Sequence, residues 1–379
     1  MLKRIGYFLT IVTLFNFSTI AVADENEKQP AVTGVSGVYE VMIGTDDAKP
    51  LIHLLKQFGF SVVKEGHYDQ QQSQKLYGVA SALTSFRLQN HAIDSHGLIR
   101  ILQWEKLTGE GVGYAQPETV GQRMMVMRTK DIFRLHDIFS DARQSGEKWL
   151  ATEPVYDDLY AMTEGKLNVV NRRIGVREMG AYGELINIVF FQRYGYTIPG
   201  YGTIDDDSPL QTSEITHNDF IISGSSKEDM YKQTNYYRDV LGFKPEGPVA
   251  LDGDWQHGPK RVFNMADGSS HWYRGFVSPN DISGKMKFFV NPDDRPDRSS
   301  GQSIGQKGIT LHSVYSNNIS KIYQLAEDND LDVSPILTNE FDEKAFIIKG
   351  PDGAAWQIIK REKAMNPPVL KLKFEQTGQ

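Results

Sequence analysis

The chain contains no cysteine. This excludes disulfides, thiolate nucleophiles, Cys-ligated zinc, iron–sulfur clusters and a lipidated N-terminal Cys, so any metal site must draw on His, carboxylate, amide or Tyr. A basic block is also missing. With 41 Lys and Arg against 48 Asp and Glu, the net charge is −7, which gives no compositional support to a phosphate-tracking surface. Nucleic acid is therefore not an expected partner. No HExxH, P-loop, Rossmann glycine set or EF-hand loop occurs. Beyond residue 23 no apolar run reaches the ~18 residues that a membrane helix requires.

What is present is an ordinary globular composition over 379 residues, enough for two domains at roughly 150 residues each. Residues 1–23 carry Lys3 and Arg4, an apolar stretch from Ile5 to Ile20, and Ala21 and Ala23 before Asp24. This is the pattern of a secretory signal peptide cleaved after Ala23. Its loss takes the net charge from −7 to −9 and predicts an exported, periplasmic or secreted protein with no membrane attachment.

The strongest remaining signal is internal repetition. Gly37–Ile43 is a β-rich run followed by a helical stretch ending LLKQFGF at Phe60, and His217–Ser223 is another, followed by a helical stretch ending YRDVLGF at Phe243. Gly59 and Gly242 can take the left-handed conformation that closes a helix, and the Phe after each re-enters a core. Amphipathic helices at Ile132–Gly146 and Ile319–Leu331 each follow a strand-like run. Gly180–Phe191 and Gly350–Ile359 both put a Gly-bearing turn ahead of an apolar strand. The pattern predicts four βαβββ modules, at about 37–106, 119–193, 213–291 and 307–362, grouped as an N-terminal domain 24–195, a linker 196–212, a C-terminal domain 213–362 and a polar tail 363–379.

Four such modules, with YYRDVLGF at Tyr236–Phe243 and GPDG opening the last strand of the fourth, resemble the vicinal oxygen chelate superfamily: glyoxalases, bleomycin-resistance-type binding proteins and extradiol dioxygenases. The resemblance covers roughly 37–362. It implies an α+β fold of four tandem modules forming two half-open mixed-sheet barrels, with the working cavity in the C-terminal pair. It also implies a ligand, often held around a divalent metal whose ligands lie on the first and last strands of paired modules. Fold alone does not settle the chemistry.

Carried onto this chain, those positions fall on Tyr39 and Ile101 in the first module and on Met125 or Met127 and Asn187 in the second, a set unsuited to a hard metal. In the third they fall on His217 and Phe288, and in the fourth on Thr310 or His312 and on Gln357, where the family usually has Glu. The expected site is thus a divalent metal, Fe²⁺ or Mn²⁺ before Zn²⁺, held by His217, His312 and Gln357. His271 would move a proton, and Trp272, Tyr273 and Trp356 would wall the ligand. The strand Phe341–Lys349 lacks the His and Tyr of ring-cleaving relatives, which counts against a dioxygenase and leaves lyase or isomerase chemistry open beside it.

Each of these residues also has a plainer reading. A lone strand His is more often a hydrogen-bonded interior residue than a ligand, and Gln357 beside Trp356 can be a barrel residue. The rival function is a metal-free binding protein that sequesters a small molecule. The GQSIG at Gly301–Gly305 has no strand before it or helix after it and is not a nucleophile elbow. His91 and His96 belong to a predicted hairpin loop. A small molecule is the expected partner, and homodimerisation stays open.

Overall fold

The computed structural model describes residues 28–91, 93–158, 174–252, 257–265, 269–291, 295–362 and 373–374. Residues 1–23, expected to be a signal peptide, and most of the expected polar tail lie outside these residues.

Each module begins with a strand whose side chains alternate between two buried faces, followed by a capped helix. The first module comprises β1 (Glu40–Thr45), α1 (Ala48–Gln57), β2 (Phe60–Tyr68), α2 (Gln70–Tyr77), β3 (Leu83–Asn90) and β4 (Leu98–Trp104). The second comprises β5 (Arg123–Thr129), α3 (Ile132–Gln144), short β6 (Leu150–Ala151) and β7 (Val155–Asp158), β8 (Gly175–Tyr182) and β9 (Asn187–Tyr194), with β10 (Tyr196–Thr197) beyond it. The third runs β11 (Thr212–Ile221), α4 (Lys227–Tyr236), β12 (Lys244–Pro245), β13 (Ala250–Asp252), α5 (His257–Val262), β14 (His271–Val277) and β15 (Lys285–Val290). The fourth runs β16 (Gly308–Ser316), α6 (Ile319–Asp328), β17 (Asp332–Val333), β18 (Leu337–Thr338), β19 (Lys344–Lys349) and β20 (Ala355–Lys360), and β21 (Lys373–Phe374) pairs with β10.

Local signals set these boundaries. Asp47, Asp131, Ser226 and Asn318 each accept a backbone N–H at a helix start. Gly59 and Gly242 hold φ of +84° and +88° at the two helix ends, as expected for chains that must turn at once into a strand.

The modules do not pair by sequence halves. β1 joins β16 antiparallel, giving one sheet in the order β17-β19-β20-β16-β1-β4-β3-β2, built from modules one and four. β5 joins β11 antiparallel, giving the other in the order β12-β14-β15-β11-β5-β9-β8-β6, built from modules two and three. The expected pairing of modules three and four around one cavity is therefore corrected. The short link 196–212 keeps modules two and three in one sheet. The links on either side of that pair run together between the sheets, bridged at Gly109–Gln306 and Val120–Asp297.

Modules three and four do touch, but back to back. Phe220, Met286 and Phe288 of one sheet share a core with Val314, Trp356 and Ile358 of the other, together with α4 and α6. Modules one and two do the same through Val41, Ile43, Met125, Met127 and Phe190 with α1 and α3. Arg123 on β5 ties the sheets by donating to the carbonyls of Ile309 and Gly353 at 3.3 and 3.0 Å. Each sheet keeps its opposite, concave face for its own cup. The result is an α+β fold of two half-open mixed sheets.

Candidate functional site

Alternation decides which residues enter a cup, because successive strand side chains point to opposite faces. In the cup of modules one and four the inward residues of the four central strands are Glu40 on β1, Arg100 on β4, Ser313 on β16 and Gln357 on β20. Glu40 is paired with Ser313, and Ser313 with Gln357. All four are fully buried.

These four residues form part of a closed network. Arg100 forks onto the Glu40 carboxylate through Nη2 and through Nε at 3.1 Å, and its Nη1 donates to Gln357 Oε1 at 2.8 Å and Glu340 Oε1 at 3.2 Å. Arg87 Nε donates to Glu40 at 2.6 Å and its terminal nitrogens grip Glu343 at 3.0 and 2.8 Å. Ser313 donates to Glu40 at 2.7 Å, Tyr77 to Glu340 at 2.7 Å, and Gln357 Nε2 to Tyr77 at 3.1 Å. The Phe341 ring lies 4.3 Å from the Arg87 guanidinium and 4.8 Å from that of Arg100. Burial alone would raise the Glu40 pKa, but Arg100 and Arg87 hold it at about 2. Tyr77, by contrast, is raised by burial and by Glu340.

This cup therefore contains its cation in covalent form. A divalent ion does not fit a donor set whose centre is a guanidinium and whose amide, Gln357, is already committed on both atoms.

The second cup, of modules two and three, has a different character. β11 turns His217 and Asp219 inward, and β15 turns Lys285 and Lys287 inward beside them in register. β8 adds Glu178, and β14 adds His271 and Tyr273. His217 Nδ1 lies 2.8 Å from the Tyr201 hydroxyl and 2.9 Å from Thr216 Oγ1, with the Tyr201 ring stacked parallel to the imidazole. Its Nε2 lies 3.9 Å from Asp219 Oδ1. Burial, Lys287 and Lys285 push the His217 pKa well below the usual imidazole range, so the ring is neutral.

The two carboxylates move the other way. Asp219 is raised to about 6 by burial, against the pull of Lys287. Glu178, half-buried in the cup, is raised to about 7 by burial and by the negative charge of Asp157, again against Lys287 and with Asp219 adding to the rise. Lys287 thus acts on two carboxyl groups and a neutral imidazole. Lys285 is engaged with Glu246 at 2.5 Å. Tyr182 donates from the cup to the Val262 carbonyl at 2.6 Å, tying α5 across one side.

The structure disperses the expected site residues. His217 lies in the second cup. His312 is on the outward face of β16, fully buried between Phe220 and Trp356 at ring distances of 4.9 and 5.1 Å, with no hydrogen-bond partner for either nitrogen among the described residues. Gln357 lies in the first cup. The three cannot share an ion, and among the described residues no cluster of three or more His, Asp or Glu is placed to hold one. His271 and Tyr273 do reach the second cup, packing on Phe289 at 5.3 and 5.5 Å. Trp272 and Trp356 do not: Trp356 lies in the core between the sheets, where it donates to Tyr237 at 3.0 Å, and Trp272, partly buried, packs against that same core.

The register explains the miss. Ile101 and His312 each lie one residue from the inward position, and a one-residue slip reverses the face. Arg100, Ser313 and Glu40 were legible only to a reading that looked one residue aside. Asp219, two residues after His217, and Lys287, two after Lys285, share faces with their neighbours and were available to the alternation rule. Glu178, in a strand the repeat did not single out, had no signal of its own.

No family model matches the chain, and no curated protein matches it in sequence. Solved structures do match. A Bacillus subtilis protein described as a "putative dioxygenase" is 9% identical with a TM-score of 0.52, over 89% of this chain and 87% of that one. Glyoxalase I from Zea mays is 10% identical with a TM-score of 0.48, over 86% of this chain and 92% of that one. Four βαβββ modules, two half-open sheets and a structural likeness spanning nearly the whole of both chains give this protein the vicinal oxygen chelate fold.

Proposed function

We propose that the protein is a small-molecule enzyme of glyoxalase-like fold whose site is the cup of modules two and three, working by proton transfer between substrate and carboxyl groups of the protein. The observation that carries this reading is the pair Asp219 and Glu178 on facing strands of one cup, raised to about 6 and 7 by burial against the pull of Lys287. Carboxyl groups poised near neutrality can take and return a proton at ordinary pH. Lys287 supplies a fixed positive charge where a substrate oxygen gains negative charge. Neutral His217, aligned by Tyr201, can donate or accept one hydrogen bond through Nε2.

This constellation suits proton abstraction beside a carbonyl of an oxygen-rich substrate, an isomerase or lyase type of reaction. The donors expected to hold a divalent ion, His217, His312 and Gln357, point into three different environments and do not fit one. The test is deuterium exchange by NMR in D₂O over a panel of α-hydroxy and α-oxo carbonyl compounds. Exchange that is lost in Glu178→Gln and Asp219→Asn supports the enzyme. A compound that binds and shifts with Lys287→Met, yet never exchanges, would establish instead the metal-free binding protein, which the apolar lining from Phe191, Phe263 and Phe289 also suits. Export, suggested by residues 1–23, is tested by the mass of the mature chain, expected to begin at Asp24.

A further inference from the structure

The loop 339–343, between β18 and β19, reaches across the first cup to β2, the far edge strand of the same sheet. Lys64 of β2 donates to the Phe341 carbonyl at 2.6 Å, and Tyr68 donates to the Thr338 carbonyl. Gly66 makes room between them, since a Cβ there would collide with the Glu340 carbonyl. Asn339, Glu340 and Phe341 are buried, which is unusual for a connection. The loop is also a unit in itself. Asn339 Oδ1 accepts from the Phe341 and Glu343 amides at 3.0 and 2.9 Å, and the Asn339 amide donates to the Glu343 carbonyl at 2.7 Å. Among the described residues its ties to the cup wall run through side chains, so its release breaks no strand ladder.

The donors of the cup fall into two sets. Arg87 Nε, Arg100 Nε and Nη2 and Ser313 are fixed on Glu40, which belongs to the sheet itself. Arg87 Nη1 and Nη2, Arg100 Nη1 and the Tyr77 hydroxyl face the loop, where Glu343 and Glu340 accept from them. Between these two acids the Phe341 ring lies over both guanidiniums. Three carboxylates therefore meet two guanidiniums. Without the loop, Glu40 alone would face both, and one positive charge would be left over beside a space shaped by an aromatic ring.

We propose that the first cup is a second ligand site, for an aromatic monocarboxylate, and that loop 339–343 occupies it as an internal stand-in which the ligand displaces. The site is separate from the cup of modules two and three and does not depend on the chemistry proposed there.

The experiment is calorimetric titration of the full mature protein with benzoate at constant ionic strength, beside the variants Glu340→Gln/Glu343→Gln and Phe341→Ala, which weaken the hold of the loop. One-to-one binding about tenfold or more tighter than in wild type is expected in both, because a closed loop lowers apparent affinity by the fraction of molecules it closes. Either variant suffices if the other folds poorly. Benzoate should also speed chymotryptic cleavage after Phe341 in the wild type, where that residue is 1% exposed. The proposal is overturned if benzoate binds neither variant more tightly than wild type. It is equally overturned if benzamide or toluene binds Phe341→Ala as well as benzoate does, which would mark mere filling of the space left by the ring. Loss of binding in Lys287→Met would place benzoate in the other cup and overturn it too.

Discussion

Arg100 Nη1 donates to Gln357 Oε1 at 2.8 Å, both residues fully buried, one from the first module and one from the fourth. A residue expected to coordinate a metal is thus an acceptor for a guanidinium, and the ion pair that surrounds it holds the seam between two distant stretches of chain. Replacing Arg100 with Met removes one of the two guanidinium groups that compensate the buried Glu40 carboxylate and leaves Arg87 alone to do so, a loss of up to about 3–5 kcal/mol as in broken buried pairs. Urea denaturation should show that loss in Arg100→Met, and the double variant Arg100→Met/Glu40→Gln should recover most of it. Equal stability of the single variant and wild type would remove the seam role.

Stability should peak near pH 5. Glu40, with a folded pKa of about 2 against 4.5 unfolded, contributes stability that is complete above about 4.5 and is lost as pH falls toward 2. Glu343, also lowered, acts in the same sense. Asp219 and Glu178 act in reverse. Their raised values of about 6 and 7 give stability that is complete below the unfolded pKa and is lost as pH rises through the folded one. Thermal unfolding across pH 2–8 should therefore rise and then decline, and Asp219→Asn with Glu178→Gln should flatten the decline alone. An unaltered upper limb in those variants counts against the raised values.

The same two variants divide function from stability. At pH 8 Glu178→Gln is expected to be as stable as wild type or more so, because it removes a carboxylate that must ionise in the cup, while turnover falls by about 10²-fold or more as for a lost acid–base group. Calorimetry and the deuterium-exchange assay on one preparation measure both. A loss of stability and activity together would mark Glu178 as structural.

His312 offers a contrasting test. Its imidazole is fully buried, pushed well below its usual pKa by burial and Arg123, and without partners for either nitrogen among the described residues. Unmet buried polar atoms cost about 1–3 kcal/mol. His312→Leu should thus match or exceed wild type in thermal stability and leave cup-ligand binding unchanged. A fall of several kcal/mol would show that the ring is satisfied by a group bound between the sheets.

The repeated strand–helix–Gly–Phe pattern, the helix caps and the alternating strands were local properties, and the sequence by itself determined them: four modules and their fold class follow from residues close together along the chain, such as Gly59 with Phe60 and Gly242 with Phe243. The pairing of the modules was decided only in three dimensions. Nothing in β1 or β16 alone says that Glu40 will meet Ser313 rather than a strand of the second module, because the edge a first strand chooses depends on the faces buried behind it. The same is true of the site. His217, His312 and Gln357 carry suitable chemistry, but the pairing of the modules put His217 and Gln357 into different cups, and one step of register turned His312 into the core between the sheets.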